Sequence, residues 1–216
     1  MDVVNTIPTS IILLYGRPGS GKGTLAQGKV GEGYAHLSLG DYFRDEVAKK
    51  TPIGERYQFE ILNHKPLPTE LIHNVVKEKL EAHAQNGIIL DGFPRHSVDI
   101  EFFDQLVREK GWGNRVLAVY LKVDRQVAED RIKFRVTCEV CHQIYNLRLP
   151  HLGLCCGKEL KPRLDAEAKG RQDDFEGKVA LSLQHYKACL LEIDGNAPPD
   201  ECLLQFNQQA TKIFFK

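Results

Sequence analysis

A glycine-rich segment with one lysine, residues 16–24, has the first pattern in the chain that could do chemistry. Its sequence GRPGSGKGT has the GxxxxGK spacing, and the hydroxyl that usually follows the lysine comes one place later, at Thr24. Glycines let successive backbone N–H groups converge on phosphate oxygens, and Lys22 can reach the outer phosphates as a point charge. The apolar run 11–15 before the segment favours a nucleotide-phosphate site over a purely structural glycine turn.

A second candidate, Asp91, follows the apolar run 88–90 and precedes Gly92 and Arg95. Three consecutive apolar residues are typical of a strand that is buried on both faces of a parallel sheet. In open α/β sheets the ligand lies beyond the carboxyl ends of the strands. We therefore expect Asp91 beside the ligand, where it can orient Mg²⁺ through the ion's water shell. The alternative is that Asp91 only caps the following turn.

Cysteines are concentrated in one segment of the chain. Six are present, and four of them fall close together: Cys138, Cys141, Cys155 and Cys156. The Cys-x-x-Cys pair fits a knuckle around tetrahedral Zn²⁺, but the second pair is contiguous, so His142 or His151 is an alternative ligand. Free thiols or a disulfide are the other interpretations. Cys189 and Cys202 lie among apolar residues and are expected in the core.

Alternating apolar and helical segments must position these residues. Strands are expected at 11–15, 34–38, 88–90, 116–121 and 191–194. Helices are expected at 24–32, 55–63, 98–110, 127–135, 173–190 and 201–215. A further helix should begin after Thr69, which can cap it. Strands that alternate with helices predict an α/β fold in which helices cover both faces of a parallel sheet, in three layers.

Composition excludes several classes of function. Lysine plus arginine and aspartate plus glutamate number 29 each, so no overall positive field favours nucleic acid. No run of about 18 apolar residues is present, which predicts no membrane span. Residues 1–10 lack the positively charged segment of an export signal. We therefore expect a cytoplasmic protein.

Five motifs occur along the chain in one order: GRPGSGKGT, LSLGDYFR, ILDGFPR, DRIKFR and RQDD. On these residues the chain resembles the adenylate kinase family over essentially its whole length, and the cysteine segment resembles the zinc-bearing lid of the long bacterial forms. The resemblance implies a P-loop NTPase fold and a monomer that converts MgATP and AMP to two ADP. It also implies a core at 1–37, 68–135 and 171–216, a monophosphate-binding flap at 38–67 and a lid at 136–170.

The resemblance also implies roles for particular residues. Donor ATP would lie on Gly19, Ser20, Gly21, Lys22, Gly23 and Thr24, with Arg131 and Arg135 at its phosphates and Ile144 and Tyr145 over its base. The monophosphate would lie on Leu39, Arg44, Lys65, Leu67, Gly92, Arg95, Asp99 and Arg171. The residues with catalytic roles would be Lys22, Arg44, Asp91, Arg95, Arg135 and Arg171. Arg163 competes with Arg171, and the full RQDD match favours Arg171.

Two departures from the family pattern fall in the expected acceptor pocket. Leu39 stands where the family has a hydroxyl in LSLGD, and Asp99 stands where it has a glutamine that reads the edge of adenine. An ionised carboxylate only accepts hydrogen bonds, and guanine offers N–H donors at N1 and N2. Asp99 therefore raises a GMP-type acceptor as an alternative to AMP. The competing interpretation is a shifted helix that leaves Asp99 in solvent.

A third departure concerns an arginine that, in the family, bridges the phosphates of both substrates. Ser182 stands at that position, on the helix that follows Arg171. Losing one positive donor at a transferring phosphate costs on the order of 10²–10³ in rate. The sequence therefore predicts slow turnover, with Lys178 as a substitute that acts as a point charge. A weakly active nucleotide-binding protein is the alternative.

The cysteine segment departs from the family's lid as well. Cys156 aligns with the fourth zinc ligand, which leaves Gly153 where the third should stand, so Cys155 is expected to supply that ligand in a distorted knuckle. No open coordination position is implied, so the ion would have no part in the chemistry. We expect a structural Zn²⁺ on Cys138, Cys141, Cys155 and Cys156.

Overall fold

Five parallel strands form the central sheet of the computed structural model, which describes residues 10–138, 140, 144–148, 154–162 and 175–214. The strands are β1 (Ile11–Gly16), β2 (Ala35–Ser38), β3 (Ile88–Asp91), β4 (Val116–Lys122) and β10 (Leu190–Asp194). Their order across the sheet is β10-β4-β1-β3-β2, and every neighbouring pair is parallel. All five lie close to the segments that the apolar runs predict.

Strand β1 lies at the centre of the sheet because all its residues are apolar or small and all are buried. Its register pairs Leu14 with Asp91 of β3, and Gly16 with Leu121 of β4. The glycine-rich loop, which continues from Gly16, therefore leaves the sheet at the same carboxyl edge as Asp91. This edge is where open parallel sheets bind their ligands.

Helices cover both faces of this sheet. They are α1 (Lys22–Val30), α2 (Leu39–Ala48), α3 (Pro52–Arg56), α4 (Gln58–Leu62), α5 (Thr69–His83), α6 (Ser97–Lys110), α7 (Arg125–Lys133), α8 (Phe175–His185) and α9 (Pro199–Phe214). Leu13 of β1 packs in one apolar cluster with Phe103 of α6, and Leu14 packs in the opposite cluster with Phe206 of α9. The predicted three-layer α/β fold is confirmed. None of these helices has the length and apolar character needed to cross a bilayer.

Helices α2 to α4 form a small unit between β2 and α5. Phe43 and Ile61 pack with Val75 of α5 in an apolar cluster of their own. The single helix predicted over 55–63 is wrong, because Tyr57, with φ −113° and ψ 20°, separates α3 from α4. The cap predicted at Thr69 is also wrong, since Thr69 is already the first helical residue and Pro68 precedes it.

Short antiparallel strands lie between α7 and α8 in the chain. They are β5 (Arg135–Thr137), β6 (Ile144–Asn146), β7 (Leu154–Cys155), β8 (Lys158–Glu159) and β9 (Lys161–Pro162). Strand β5 pairs with β6 and β9, and β7 pairs with β8. Arg135 therefore belongs to a strand and not to the helix predicted over 127–135. The helix predicted to reach residue 190 ends at His185, because Leu190 already pairs with Ala118 in the sheet.

Candidate active site

A cleft of about 2240 Å³ opens where the carboxyl ends of the strands meet. The glycine-rich loop and the residues after β3 line it, together with parts of α2, α4 and α7. Tyr145 and Arg148, from the antiparallel strands and the turn that follows β6, line it as well. Segments that are far apart in the sequence thus share one cleft.

The glycine-rich loop has the backbone that a phosphate site needs. Gly19 and Gly21 have φ of +84° and +97°, a region that residues with side chains rarely adopt. A Cβ on Gly19 would also collide with the carbonyl group of Ala128. Helix α1 begins immediately afterwards, at Lys22, so its free N–H groups and dipole favour an anion at this place. Ser20, Gly23 and Thr24 also line the cleft.

Lys22 connects this loop to Asp91. Its Nζ donates a hydrogen bond of 2.6 Å to the carbonyl oxygen of Gly16 and lies 4.0 Å from Asp91 Oδ1. Burial lowers the pKa of Lys22, and the Asp91 charge opposes that effect. Burial alone would raise the pKa of Asp91, but Lys22 and His36 outweigh it and hold this pKa below its ordinary value. Lys22 and Asp91 thus each stabilise the charged form of the other.

His36 was missed by the sequence analysis. Its Nε2 lies 3.7 Å from Asp91 Oδ2, and its side chain lines the cleft. It approaches Asp91 because β2 lies beside β3 and pairs Ser38 with Asp91 at the carboxyl edge of the sheet. The sequence alone did not show that β2 neighbours β3.

The two arginines predicted to clamp the monophosphate both line the cleft. The Nη2 atom of Arg44 pairs with Asp41 Oδ1, one turn earlier on α2. Arg95 Nε donates to the carbonyl oxygen of Gly92. Each guanidinium is therefore anchored locally and faces the same open space. A guanidinium fork matches the oxygens of a phosphate group in pairs.

The two arginines predicted at the donor phosphates, Arg131 and Arg135, line the cleft as well. Arg131 donates from Nη1 to the carbonyl oxygen of Gly195 at 2.6 Å and from Nη2 to that of Asn196 at 3.2 Å. The loop 195–198 after β10 therefore borders the site, which the sequence analysis missed. The sequence does contain a signal for this loop, because Gly195 and Pro198 follow the last predicted strand.

Comparison with known proteins identifies the family of this chain. The family model described as adenylate kinase matches residues 14–193. The adenylate kinase of Thermosipho melanesiensis is 36% identical over 204 residues, which cover 89% of this chain and 95% of that protein. The adenylate kinase of Syntrophomonas wolfei is 33% identical over 198 residues, which cover 86% of this chain and 91% of that protein. The chain belongs to the adenylate kinase family.

Residues that the family resemblance places around the monophosphate also meet in the cleft. Its lining includes Leu39, Lys65, Leu67 and Gly92. Leu39 begins α2 and packs against the apolar clusters, so an apolar side chain stands where the family has a hydroxyl. The structure thus brings these predicted acceptor residues into one cleft.

Asp99 lines the cleft, but its carboxylate is occupied by the protein. Its Oδ2 accepts the backbone N–H groups of Arg95 at 3.2 Å and His96 at 3.0 Å. His73 Nε2 donates to its Oδ1 at 2.9 Å. The interpretation that leaves Asp99 in solvent is wrong, because the residue is only 6% exposed. Nothing favours the GMP-type alternative, which requires a carboxylate free to receive a base.

Ser182 is fully buried on α8, and its Oγ donates a hydrogen bond of 2.8 Å to the carbonyl oxygen of Pro94. The position thus supports the segment that carries Arg95. Lys178 lies one turn earlier on α8, and its side chain is outside the described part of the chain. Slow turnover and a role for Lys178 stay predictions.

Three of the four clustered cysteines come together in the structure. The Sγ atoms of Cys138, Cys155 and Cys156 all lie within 4.8 Å of one another. Tyr145, which lines the cleft, donates from its hydroxyl to Cys155 Sγ at 3.1 Å. Three thiols at this spacing fit a tetrahedral Zn²⁺, for which thiolates are the preferred structural ligands.

Several predicted residues lie outside the described part of the chain. They are Cys141, His142, His151, Gly153, Arg163 and Arg171, together with the side chain of Ile144. The remaining two cysteines are described. Cys202 is buried and Cys189 is half-buried, and burial raises the pKa of both thiols. Their prediction as core residues is confirmed for Cys202 and holds in part for Cys189.

Proposed function

We propose that this chain transfers the γ-phosphoryl group of ATP to AMP and so produces two ADP. The observation that carries the proposal is the shared cleft, in which the glycine-rich loop with Lys22 and Asp91 lies together with the arginines Arg44 and Arg95. A site for ATP alone would need only the glycine-rich loop, Lys22 and Asp91. Two further phosphate-binding side chains in the same space supply a second anion site.

The donor half of the site consists of the loop and its basic neighbours. Backbone N–H groups of residues 19–24 and the start of α1 hold the phosphates, and Lys22 reaches the outer ones. Arg131 and Arg135 add positive charge, and Ile144 and Tyr145 cover the donor base. Because phosphoryl transfer needs positioning and charge neutralisation and no protein nucleophile, these groups are sufficient for the donor.

The acceptor half consists of the clamps and the pocket around them. Arg44 and Arg95 hold the phosphate of AMP, and Arg171 would join them. Lys65, Leu67, Leu39 and Gly92 shape the space for the nucleoside. An oxygen of the AMP phosphate then faces the γ-phosphorus of ATP directly, in the alignment that the reaction requires.

Two metal ions complete the proposal. Mg²⁺ bound with ATP neutralises charge on its phosphates, and Asp91 is the carboxylate placed to orient it. Asp91 is 15% exposed and lines the cleft, which fits a group that meets the ion through water. A structural Zn²⁺ on Cys138, Cys155, Cys156 and Cys141 would hold the antiparallel strands together.

The proposed organisation has two mobile units on a core. The flap at 38–67 and the lid at 136–170 would close over both nucleotides, while 1–37, 68–135 and 171–216 form the core. Closure matters because water in an open site would take the phosphoryl group in place of AMP. We further propose that the protein acts as a monomer in the cytoplasm.

The test is a coupled assay of diphosphate formation with ATP and each of AMP, GMP, CMP and UMP. The proposal expects AMP to give the highest kcat/KM. It also expects Lys22→Met to lose most of this activity while remaining folded by circular dichroism. Faster turnover of GMP than of AMP would contradict the proposed acceptor, and no diphosphate formation with any of the four would contradict the proposed function.

A further inference from the structure

The peptide group between Pro94 and Arg95 is held from both sides. Its carbonyl oxygen, on Pro94, accepts the hydroxyl hydrogen of Ser182 at 2.8 Å. Its N–H group, on Arg95, donates to Asp99 Oδ2 at 3.2 Å. One peptide unit therefore receives a hydrogen bond from α8 on one side and gives one to α6 on the other.

Asp99 is itself held by further contacts. His73 Nε2 donates to the second oxygen of Asp99 at 2.9 Å. The His73 ring in turn stacks on Phe102 with 4.0 Å between centroids and 8° between planes. Both Asp99 and the Ser182 hydroxyl are removed from solvent, with exposures of 6% and 0%. Because Pro94 is also buried, its carbonyl group would remain unsatisfied if it lost the Ser182 hydroxyl, which is costly.

Ser182 also lies close to a residue of β1. The Tyr15 side chain is fully buried, lines the cleft and lies close to Ser182. Burial raises the pKa of Tyr15, so its phenol stays protonated. Ser182 therefore sits between the strand that leads into the glycine-rich loop and the segment that carries Arg95.

We propose that Ser182 and Asp99 are positioning residues that together fix Arg95 for the phosphate of the acceptor nucleotide. Both act through the peptide group in front of Arg95, which sets the direction in which the Arg95 side chain leaves the backbone. Arg95 Nε already donates a hydrogen bond to the carbonyl oxygen of Gly92. The position of the backbone therefore determines the direction of the two Nη groups. The inference rests on the proposed role of Arg95 as a monophosphate clamp.

Ser182 and Asp99, which stand where the family has an arginine and a glutamine, then share one purpose. Neither needs to touch a base or a phosphate. Ser182 supplies a short buried donor to Pro94, and Asp99 supplies an acceptor to Arg95. Both substitutions therefore contribute to the geometry of one arginine.

The test measures kcat/KM for AMP at saturating ATP, and KM for ATP, in Ser182→Ala and Asp99→Ala, which remove the donor to Pro94 and the acceptor of the Arg95 N–H group. We expect each variant to lower kcat/KM for AMP about fivefold or more, the effect of at least one lost hydrogen bond, and to change KM for ATP less than about twofold. Ser182→Thr keeps the hydroxyl and should restore most of the loss. Ser10→Ala is the matched control, because Ser10 is equally buried, its Oγ lies 3.0 Å from the Tyr34 hydroxyl, and neither residue lines the cleft.

The deciding comparison repeats Ser182→Ala in an Arg95→Met background. If Ser182 acts through Arg95, Ser182→Ala has no further effect on kcat/KM for AMP once the guanidinium is gone. An equal fold-change in both backgrounds, or an equal loss in Ser10→Ala, would overturn the inference.

Failure of the proposed function would look different, since the unmodified protein would then form no ADP from AMP. In that case amide hydrogen exchange of the Arg95 segment decides the inference on its own. Faster exchange in Ser182→Ala than in Ser10→Ala supports the conclusion that Ser182 and Asp99 hold the peptide group between Pro94 and Arg95. Unchanged exchange contradicts it.

Discussion

Lys22 Nζ lies 4.0 Å from Asp91 Oδ1, so the cation of the glycine-rich loop faces the carboxylate at the end of β3. The pairing follows from the parallel register, because β1 and β3 are neighbours and both end at this edge. Each charge makes the burial of the other less costly, and both remain within reach of the cleft. The residues expected to meet phosphate and Mg²⁺ are thus assembled before a ligand arrives.

Asp91→Asn should lower both activity and stability. Because the pKa of Asp91 is lower in the folded protein than in the unfolded chain, its carboxylate stabilises the fold above about pH 4. This contribution is lost as the pH falls through the folded pKa. We therefore expect the difference in unfolding free energy between the unmodified protein and Asp91→Asn to be largest near neutral pH and to shrink towards about pH 3.

Denaturant titration across that pH range measures this difference, and Asp200→Asn is the control because Asp200 is exposed outside the cleft. A difference that stays constant with pH would show that the Asp91 charge contributes nothing to the fold.

Arg44→Lys should weaken binding of the acceptor and spare the donor. Lysine keeps the positive charge but loses the fork that matches phosphate oxygens, so KM for AMP should rise about tenfold with little change in KM for ATP. Initial-rate kinetics with each substrate varied in turn measure both constants. Arg108→Lys, at an exposed position of α6, should behave as the unmodified protein. A parallel rise in both KM values would refute the assignment of Arg44 to the acceptor.

Lys178→Ala tests whether this lysine replaces the charge missing at Ser182. Removing a positive charge near a transferring phosphate should lower kcat by about tenfold or more, with smaller effects on either KM. The matched control is Lys77→Ala, since Lys77 is exposed on α5. Should kcat in Lys178→Ala equal that of the control, Lys178 has no such role.

The thiol cluster should bind about one zinc ion per chain, measured by metal analysis of the purified protein. Because metal binding is coupled to the folding of the strands that carry the thiols, chelation should lower the thermal midpoint. Cys138→Ser should lose the zinc, whereas Cys189→Ser, outside the cluster, should keep it. Zinc well below one per chain in the unmodified protein would reject the site.

Local patterns in the sequence were sufficient to predict the elements that build the cleft. The apolar runs before Gly16 and Asp91 predicted β1 and β3, and the glycine spacing predicted the loop between β1 and α1. These signals work because a buried parallel strand must be continuously apolar and a phosphate loop must be rich in glycine. Helix ends were less predictable, as at Tyr57 and Arg135, where propensity gives no sharp boundary.

The environments of Asp99 and Ser182 could not be predicted in the same way. The hydrogen bond from Ser182 to Pro94 joins residues that are 88 positions apart, and the bond from His73 to Asp99 joins residues 26 positions apart. Such pairs depend on how α5, α6 and α8 pack against their neighbours. Local sequence patterns do not predict this packing. From the sequence alone, Asp99 and Ser182 are recognisable only as positions that lack the residue with which the family contacts its substrates.

The central claim is that AMP receives the γ-phosphoryl group of ATP in this cleft. The most direct measurement follows ATP labelled in its γ-phosphate, with and without AMP, in the presence of Mg²⁺. We predict that the label appears in ADP, only when AMP is present, and that Lys22→Met loses most of this transfer. Label that appears only in inorganic phosphate, or that stays in ATP when AMP is added, would contradict the account.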